Sequence, residues 1–167
     1  MNAEGYFRDV MPADIEHIAP RLRLDDLAEI TAMSGHSDVM KILTRAVSVS
    51  SRCWTGCAAD GEPMTLCGVA PVSLLSGIGS PWMLGTDRAQ KYAMAMVREG
   101  RKQILQMLVL YPSLINYVDV RNVRSVRWLR RLGFEIHAPE PAGVYGLPFH
   151  KFTMHGDGLG QAILVAK

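Results

Sequence analysis

Apolar and polar positions follow two different periods along the chain, and the clearest change of period lies between residues 114 and 134. Residues 114–120 are rich in apolar and β-branched side chains, which is typical of a largely buried strand. Directly afterwards, apolar residues recur at every third position, on one face of a helix. These positions are Val126, Leu129 and Leu132. Asn122 can cap the first turn of that helix and Gly133 can end its last turn. The pattern therefore predicts a strand, a short helix that packs on a sheet, and a following strand.

The chain on both sides of this unit shows further strand and helix patterns. A turn-forming cluster over residues 60–63 joins two predicted strands into a hairpin. Thr86 and Asp87 are predicted to cap a long helix. The predicted elements are a first strand from residue 7, helices over 12–19, 24–33, 38–47 and 88–110, strands over 52–59, 64–75, 82–85, 134–137 and 149–154, and loops over 77–81 and 139–148. Spacing alone indicates a mixed α/β fold with a partly antiparallel sheet.

The composition is that of one folded domain. With 167 residues, of which 49% are hydrophobic and 20% charged, the chain can bury an ordinary core. We expect a single domain over residues 1–155 and a C-terminal tail over 156–167. The net charge of +2 does not by itself indicate a nucleic-acid partner. Neither a secretory signal nor an apolar run of the ~20 residues of a membrane helix is visible. The expectation is a cytoplasmic protein with no membrane partner.

Cysteine and histidine residues give no metal-binding pattern. The three cysteines, Cys53, Cys57 and Cys67, are an odd number that fits a reducing compartment. We expect them to be buried thiols on neighbouring strands. The five histidines lack the spacing that places two metal ligands on one helix face. No metal is therefore expected.

Two segments carry a resemblance to a known family. Residues 122–134 have an Asn after a strand, a small residue three positions later, an adjacent aromatic and aliphatic pair, and a closing Leu-Gly-Phe. Residues 7–14 have an Arg and a Pro that lead to an Asp at the start of the first helix. In this order the segments resemble the GNAT superfamily, the Gcn5-related N-acetyltransferases, over roughly residues 6–154. The resemblance implies an α/β fold with a mixed, mostly antiparallel central sheet flanked by helices.

The same resemblance implies acetyl-CoA as the cofactor and transfer of its acetyl group to an amine that the sequence does not identify. In the family, a glycine-rich loop after the fourth strand holds the pyrophosphate through backbone N–H groups, because small residues let the backbone come close. Here no glycine follows Gly85 until Gly100, and Asp87 adds a negative charge. Side chains must then supply part of the binding. The predicted cofactor-binding residues are Leu84, Gly85, Arg88, Lys91, Asn122 and Ser125.

The resemblance leaves the catalytic residues unknown. In many members a Tyr on the short helix protonates the leaving thiolate, but alignment puts Leu129 at that place, and Leu cannot donate a proton. The candidates that remain are Asp87, Glu135 and His137 as the base and Tyr117 as a substitute acid. Each also has a structural explanation, such as a helix cap for Asp87 and packing for Tyr117. The arginines of the short helix are explained either as phosphate ligands or as a solvated face. They are Arg121, Arg124, Arg127, Arg130 and Arg131.

A second hypothesis keeps the fold but not the chemistry. Residues 81–87, the Met-rich long helix and the segment from Asn122 also resemble GNAT-like proteins of tailed phages, some of which have internal virion or head-assembly roles. The absent glycines and Tyr favour a catalytically silent structural or assembly protein. Its partner would be a phage assembly protein instead of an amine acceptor, and its location the host cytoplasm or the virion. A nucleic-acid module is a third, less favoured alternative, and the oligomeric state and biological source stay open.

Overall fold

The computed structural model describes residues 4–156, so nearly all of the predicted tail over 156–167 lies outside the described residues. The strands are β1 (Gly5–Asp9), β2 (Arg52–Ala58), β3 (Pro63–Pro71), β4 (Ile78–Gly85), β5 (Ser113–Asp119), β6 (Glu135–Ala142) and β7 (Leu147–His155). The helices are α1 (Pro12–Ile18), α2 (Leu24–Ser34), α3 (Val39–Val49), α4 (Ala93–Leu110) and α5 (Val123–Leu132), with 3-10 segments at Ala19–Arg21 and Asp87–Tyr92. The strands form one sheet in the order β1-β2-β3-β4-β5-β7-β6. All neighbours are antiparallel except β4 and β5, which confirms the predicted mixed, mostly antiparallel sheet.

Helices cover both faces of the sheet because successive residues of a strand point to opposite sides. Leu66 of β3 packs in a core with Ile18 and Leu43, which come from α1 and α3. The next residue, Cys67, belongs to a second core that contains the apolar faces of α4 and α5. Cys57 is also buried and Cys53 is half-buried, and all three thiols are free.

The single parallel pair of strands opens a cleft in the middle of the sheet. Only two positions pair between β4 and β5, Ile78 with Ser113 and Gly79 with Leu114. Further along, β5 continues its pairing with β7 and β4 continues with β3, but the two strands no longer pair with each other. The side-chain amide of Asn116 crosses the gap and donates to the backbone carbonyl of Pro81 at 2.8 Å. Two strands that diverge in this way leave room for a ligand between them.

A buried ionic network fixes the first helix to the sheet. The carboxylate of Asp14 accepts two hydrogen bonds of 2.7 Å from Arg8 on β1 and one of 2.6 Å from Thr55 on β2. It also accepts the backbone N–H of Met11 at 2.8 Å, at the start of α1. Burial opposes ionisation of this carboxyl, but these hydrogen bonds outweigh burial and hold its pKa below the usual range. The Arg and Asp of the first sequence segment therefore join β1, α1 and β2.

Helix α5 has the ends and the buried face that the sequence predicts. The Asn122 side chain accepts the backbone N–H of Ser125 at 3.3 Å, and Gly133 takes a left-handed conformation with φ 103°. The three predicted core residues are all buried; they are Val126, Leu129 and Leu132. This helix is therefore held at both ends and along one face.

Several predicted boundaries are wrong, and the strand predicted over 64–75, for example, ends at Pro71. The predicted loop over 77–81 is mostly strand, because β4 starts at Ile78 and pairs with β3 as far as Gly79. Helix α4 starts at Ala93, since Asp87–Tyr92 winds as a 3-10 segment, and neither Thr86 nor Asp87 caps it. The predicted loop over 139–148 is largely strand as well, with a turn only at 143–146. Proline is tolerated in β6 because this strand lies at the edge of the sheet.

Among the helices between residues 4 and 156, none combines the length and the apolarity that crossing a bilayer requires.

Candidate functional site

Two adjoining cavities lie where β4 and β5 diverge. An inner cavity of about 260 Å³ occupies the cleft of the sheet. An outer cavity of about 620 Å³ lies between the segment Asp87–Tyr92, the start of α4 and helix α5. Met83, Ser125 and Trp128 line both of them. The two cavities therefore share part of their walls, and we refer to them together as the groove.

The wall of the inner cavity is mostly apolar. Trp82, Met83 and Leu84 of β4 form part of it, and Trp128 and Leu129 of α5 form another part. Only a few polar side chains reach this wall. They are Glu29, Ser34, Gln103, Asn116, Tyr117 and Ser125. An apolar cavity with a small number of placed polar groups is typical of a small-molecule site.

Glu29 of α2 is the most perturbed acidic group of the groove. Its Oε2 atom accepts the backbone N–H of Asp119 at 3.0 Å and the amide of Asn122 at 3.2 Å. Its Oε1 atom has no hydrogen-bond partner among the described residues, and the side chain lines the inner cavity. The pKa of Glu29 is raised to about 7, chiefly by burial and also by the nearby carboxylates of Asp26 and Asp119, while its two hydrogen bonds oppose this rise.

Sequence reasoning missed Glu29, although a local signal exists. Asp26 and Glu29 lie three positions apart in α2, so their side chains project from the same side of the helix. Both side chains accept a hydrogen bond from the side-chain amide of Asn122, at 3.4 Å for Asp26 Oδ1 and at 3.2 Å for Glu29 Oε2. Asn122 thus caps α5 and also binds two acids of α2. That second role depends on contacts between residues more than 90 positions apart, which periodicity does not reveal.

The loop after β4 has a different structure from an anion-binding backbone loop. The backbone N–H of Gly85 donates to Asp26 Oδ2 at 3.0 Å, and that of Thr86 donates to the carbonyl of Met64 at 2.8 Å. Asp87 follows, and its carboxylate lies 3.3 Å from the guanidinium of Arg124. The backbone donors at the end of β4 and at the first position after it are therefore used within the protein.

The predicted cofactor-binding residues occupy three kinds of position. Leu84 lines the inner cavity, Gly85 lines the outer cavity, and Ser125 lines both. Asn122 lies under the groove, buried in the network of α2 and α5. Arg88 and Lys91 line neither cavity.

The guanidinium of Arg88 points to the hairpin turn between β2 and β3. It pairs there with Asp60 at 2.5 Å and with Glu62. Because both carboxylates hold this side chain away from the groove, the geometry gives Arg88 no contact with a ligand there. Its role in binding stays a prediction.

Among the predicted catalytic candidates, only Tyr117 reaches the inner cavity. A hydrogen bond with Glu140, together with burial, raises the pKa of the Tyr117 phenol. Glu135 and His137 lie on the edge strand β6 and line neither cavity, and His137 Nε2 is 2.8 Å from Thr153 Oγ1. Asp87 lies at the outer rim, paired with Arg124.

The outer cavity has a largely cationic wall. The arginines that line it are Arg23, Arg121, Arg124, Arg127 and Arg131. In the part of the chain that the structure describes, Asp25 supplies the one carboxylate of this wall. No group of three or more His, Cys, Asp or Glu side chains between residues 4 and 156 is placed to hold a metal ion. The wall can therefore attract an anionic ligand through its side chains.

Comparison with known proteins gives similarity of structure only. No protein-family profile matches the chain, and no curated protein matches it by sequence. The aminoglycoside N(6')acetyltransferase from Legionella pneumophila has a similar structure, with a TM-score of 0.67, 12% identity, and coverage of 97% of this chain and 98% of that one. AAC(6')-Ib in complex with ribostamycin and coenzyme A gives a TM-score of 0.67 at 12% identity, over 95% and 97% of the two chains.

A GNAT superfamily phosphinothricin acetyltransferase from Sinorhizobium meliloti, in complex with AcCoA, also has a TM-score of 0.67 at 12% identity. The similarity covers 93% of this chain and 89% of that one. Identities this low establish the fold and not the activity. The chain therefore has a GNAT-like α/β fold over nearly its whole length.

Proposed function

We propose that the protein is an acetyl-CoA-dependent N-acyltransferase that moves an acetyl group to an amine. The observation that carries this proposal is the groove itself, with an apolar inner cavity in the cleft between β4 and β5, a cationic outer cavity, and Glu29 on the inner wall. Structures of similar fold include complexes with coenzyme A and AcCoA, which supports the same cofactor here. Fold alone would not decide the activity, so the site residues carry the argument.

The residues of the groove fit such a cofactor in two respects. The apolar stretch from Met83 to Trp128 suits the uncharged arm of acetyl-CoA, and the arginine wall suits its phosphates. When bound, acetyl-CoA would supply an acyl thioester whose carbonyl carbon an amine can attack, so that the C–N bond forms, the C–S bond breaks and CoA leaves as its thiolate. Leu84 and Ser125 would lie along the arm, since both line the inner cavity.

Glu29 has the properties of a general base toward the acceptor amine. An alkyl amine has a pKa of about 10.4, so it must lose a proton before its lone pair is available. A carboxyl with a pKa of about 7 is a much better proton acceptor than an ordinary glutamate, and it is still half ionised at neutral pH. Oε1 is the atom that receives the proton, because Oε2 is held by Asp119 and Asn122.

The second hypothesis, a catalytically silent assembly protein such as those of tailed phages, has a specific observation in its favour. Leu129 is buried at the wall of the inner cavity, in the place where many GNAT proteins have a Tyr. A Leu side chain has no proton to give to the leaving thiolate. The engaged backbone donors of Gly85 and Thr86 point in the same direction. Under this hypothesis the groove is a remnant and binds no CoA.

Calorimetric titration with acetyl-CoA decides between the two functions. The acyltransferase proposal expects saturable binding, followed by acetyl transfer to at least one amine of a panel made of ribostamycin, spermidine, phosphinothricin and a peptide with N-terminal alanine. These compounds represent the acceptor classes named for proteins of similar structure. Absence of binding at millimolar acetyl-CoA would leave the assembly hypothesis standing.

A Glu29→Gln variant tests the mechanism separately from binding. We expect it to bind acetyl-CoA as the wild type does and to lose transfer by a factor of about 10²–10⁴, the usual contribution of a general base. In the wild type, kcat/KM should rise with pH through about 7, because the ionised carboxyl is the active form. An unchanged rate in the variant would remove Glu29 from the chemistry.

A further inference from the structure

Three arginines form a stripe along the side of α5 that faces the groove. Arg124, Arg127 and Arg131 follow each other at intervals of three and four residues, so they project from one side of the helix. All three line the outer cavity, together with Trp128, which lies between them. Arg130 belongs to the same helix but lines neither cavity. The positive charge at the groove is therefore placed by the helical period.

The ion pairs of the region leave part of this charge available. In the described part of the chain, Arg127 and Arg131 form no salt bridge. Arg124 is paired with Asp87, at 3.3 Å, but both side chains are well exposed, and such a pair is weak. A ligand anion can therefore replace the Asp87 carboxylate as the partner of Arg124 at small cost.

The other two arginines of the wall have fixed structural partners. Arg23 pairs with the buried carboxylate of Asp26 at 2.5 Å, and Arg121 pairs with the buried carboxylate of Asp119 at 2.5 Å. Because these carboxylates would be left buried and unpaired, both arginines are unsuited to exchange their partners. The stripe on α5 is thus the available cationic surface of the groove.

From these observations we propose that Arg124, Arg127 and Arg131 bind the phosphates of acetyl-CoA through their guanidinium groups and replace the backbone N–H groups of the loop after β4. The inference rests on the proposed function, which supplies the cofactor. Guanidinium groups suit this task because they donate two parallel hydrogen bonds to phosphate oxygens. The N–H groups of Gly85, the last residue of β4, and of Thr86 are already bonded, and Asp87 places a negative charge at the start of the loop.

The shape of the groove selects a phosphorylated cofactor over a nucleic acid. Met83, Ser125 and Trp128 connect the arginine stripe directly to the apolar inner cavity. A ligand that fills both parts must have an anionic end and an uncharged arm. Nucleic acids offer continuous charge and need an extended basic surface, which a cavity that narrows into the sheet does not provide.

Calorimetric titration of acetyl-CoA into single variants tests the stripe, with Arg130→Gln as the matched control. Arg127→Gln and Arg131→Gln should each weaken the affinity by about tenfold, the lower range for a hydrogen bond to a charged group. Arg130→Gln changes the net charge equally and should stay within about twofold, because charges beyond the contact are screened by salt. Arg127→Lys keeps the positive charge but cannot donate two parallel hydrogen bonds. Its affinity for acetyl-CoA should therefore lie between those of the wild type and Arg127→Gln.

Asp87 supplies a test in the opposite direction. Asp87→Asn frees Arg124 and removes the carboxylate from the rim, so acetyl-CoA should bind up to about fivefold tighter, which corresponds to the loss of one exposed ion pair. In the double variant Asp87→Asn/Arg124→Gln this gain should disappear. Thermal unfolding of every variant shows whether the fold is intact, and we expect little change because these side chains are exposed.

The outcomes separate the inference from the function on which it rests. If the wild type does not bind acetyl-CoA, both the acyltransferase proposal and this inference fail. If the wild type binds while Arg127→Gln and Arg131→Gln behave like Arg130→Gln, the phosphates lie elsewhere and the inference alone is overturned. Weaker binding in the two stripe variants only, with a gain in Asp87→Asn, is the result that we expect.

Discussion

Replacement of Glu29 by Gln should change the pH dependence of stability in a way that needs no ligand. The pKa of this carboxyl is about 7 in the folded protein, against an ordinary value of 4.5. Because the folded-state pKa is the higher one, the wild type has its full stability below about pH 4.5 and loses part of it as the pH rises through about 7. Gln has no proton to lose, so the variant should lack this loss.

The magnitude follows from the same two pKa values. The difference between 4.5 and about 7 corresponds to roughly 3.5 kcal/mol at about 1.4 kcal/mol for each pH unit. We expect roughly 2–3 kcal/mol, because the carboxyl also faces a cavity that water can enter. Gln preserves the acceptor for Asp119 and Asn122, so the variant mainly removes the charge.

Urea denaturation of both proteins between about pH 5 and about pH 8.5 measures this effect. The free energy of unfolding of Glu29→Gln, minus that of the wild type, should increase with pH and level off above about pH 8. Glu16→Gln is the control for the loss of one negative charge, since Glu16 is exposed on α1. A difference that does not depend on pH for Glu29→Gln would show that its carboxyl ionises as in the unfolded chain, and it would weaken the base that we propose.

Two further predictions concern the scaffold of the groove. Leu129→Ala should lower the free energy of unfolding by about 2–5 kcal/mol, because Leu129 is buried on the side of α5 that packs on the sheet. Val123 is half exposed on the same helix, so Val123→Ala should lower it by less than ~0.5 kcal/mol in the same denaturant melt. Equal effects of the two would contradict the packing. Gly143→Ala should cost at least ~1 kcal/mol more than Gly146→Ala, since both glycines have positive φ but only at Gly143 would a Cβ meet another atom, 2.5 Å from the carbonyl of Ala32. Similar melting temperatures for the two glycine variants would show that the turn over 143–146 can shift away from α2 without loss of stability.

Local signals in the sequence were sufficient for the elements that are specified by their own residues. Helix α5 was predicted with both of its caps and its buried face, because a cap depends on residues within one turn and amphipathic spacing depends only on the helical period. The hairpin of β2 and β3 followed from its turn residues in the same way. The mixed, mostly antiparallel sheet was predicted through the resemblance of two such segments to a family, and structures of similar fold confirm it.

Boundaries were wrong where a neighbour decided the conformation. Ile78–Gly85 reads as a loop followed by a short strand, yet β3 pairs with it as far as Gly79 and extends it. The start of α4 was misplaced because Asp87–Tyr92 winds as a 3-10 segment and no side chain caps α4. For β4, the pairing with β3 decides the conformation, and the local pattern of residues 78–81 does not contain that pairing.

The chemistry of the groove was decided by tertiary structure. Glu29 is an unremarkable helical glutamate in the sequence, and only contacts with residues about 90 positions away bury it, hold one of its oxygens and raise its pKa. The arginines of α5 were visible as a run of charge, but the choice between ligands and a solvated face required the wall of the groove. Residue types and short-range periods fix the local elements of this chain, whereas burial, charge pairing and the divergence of β4 from β5 exist only after distant segments have met.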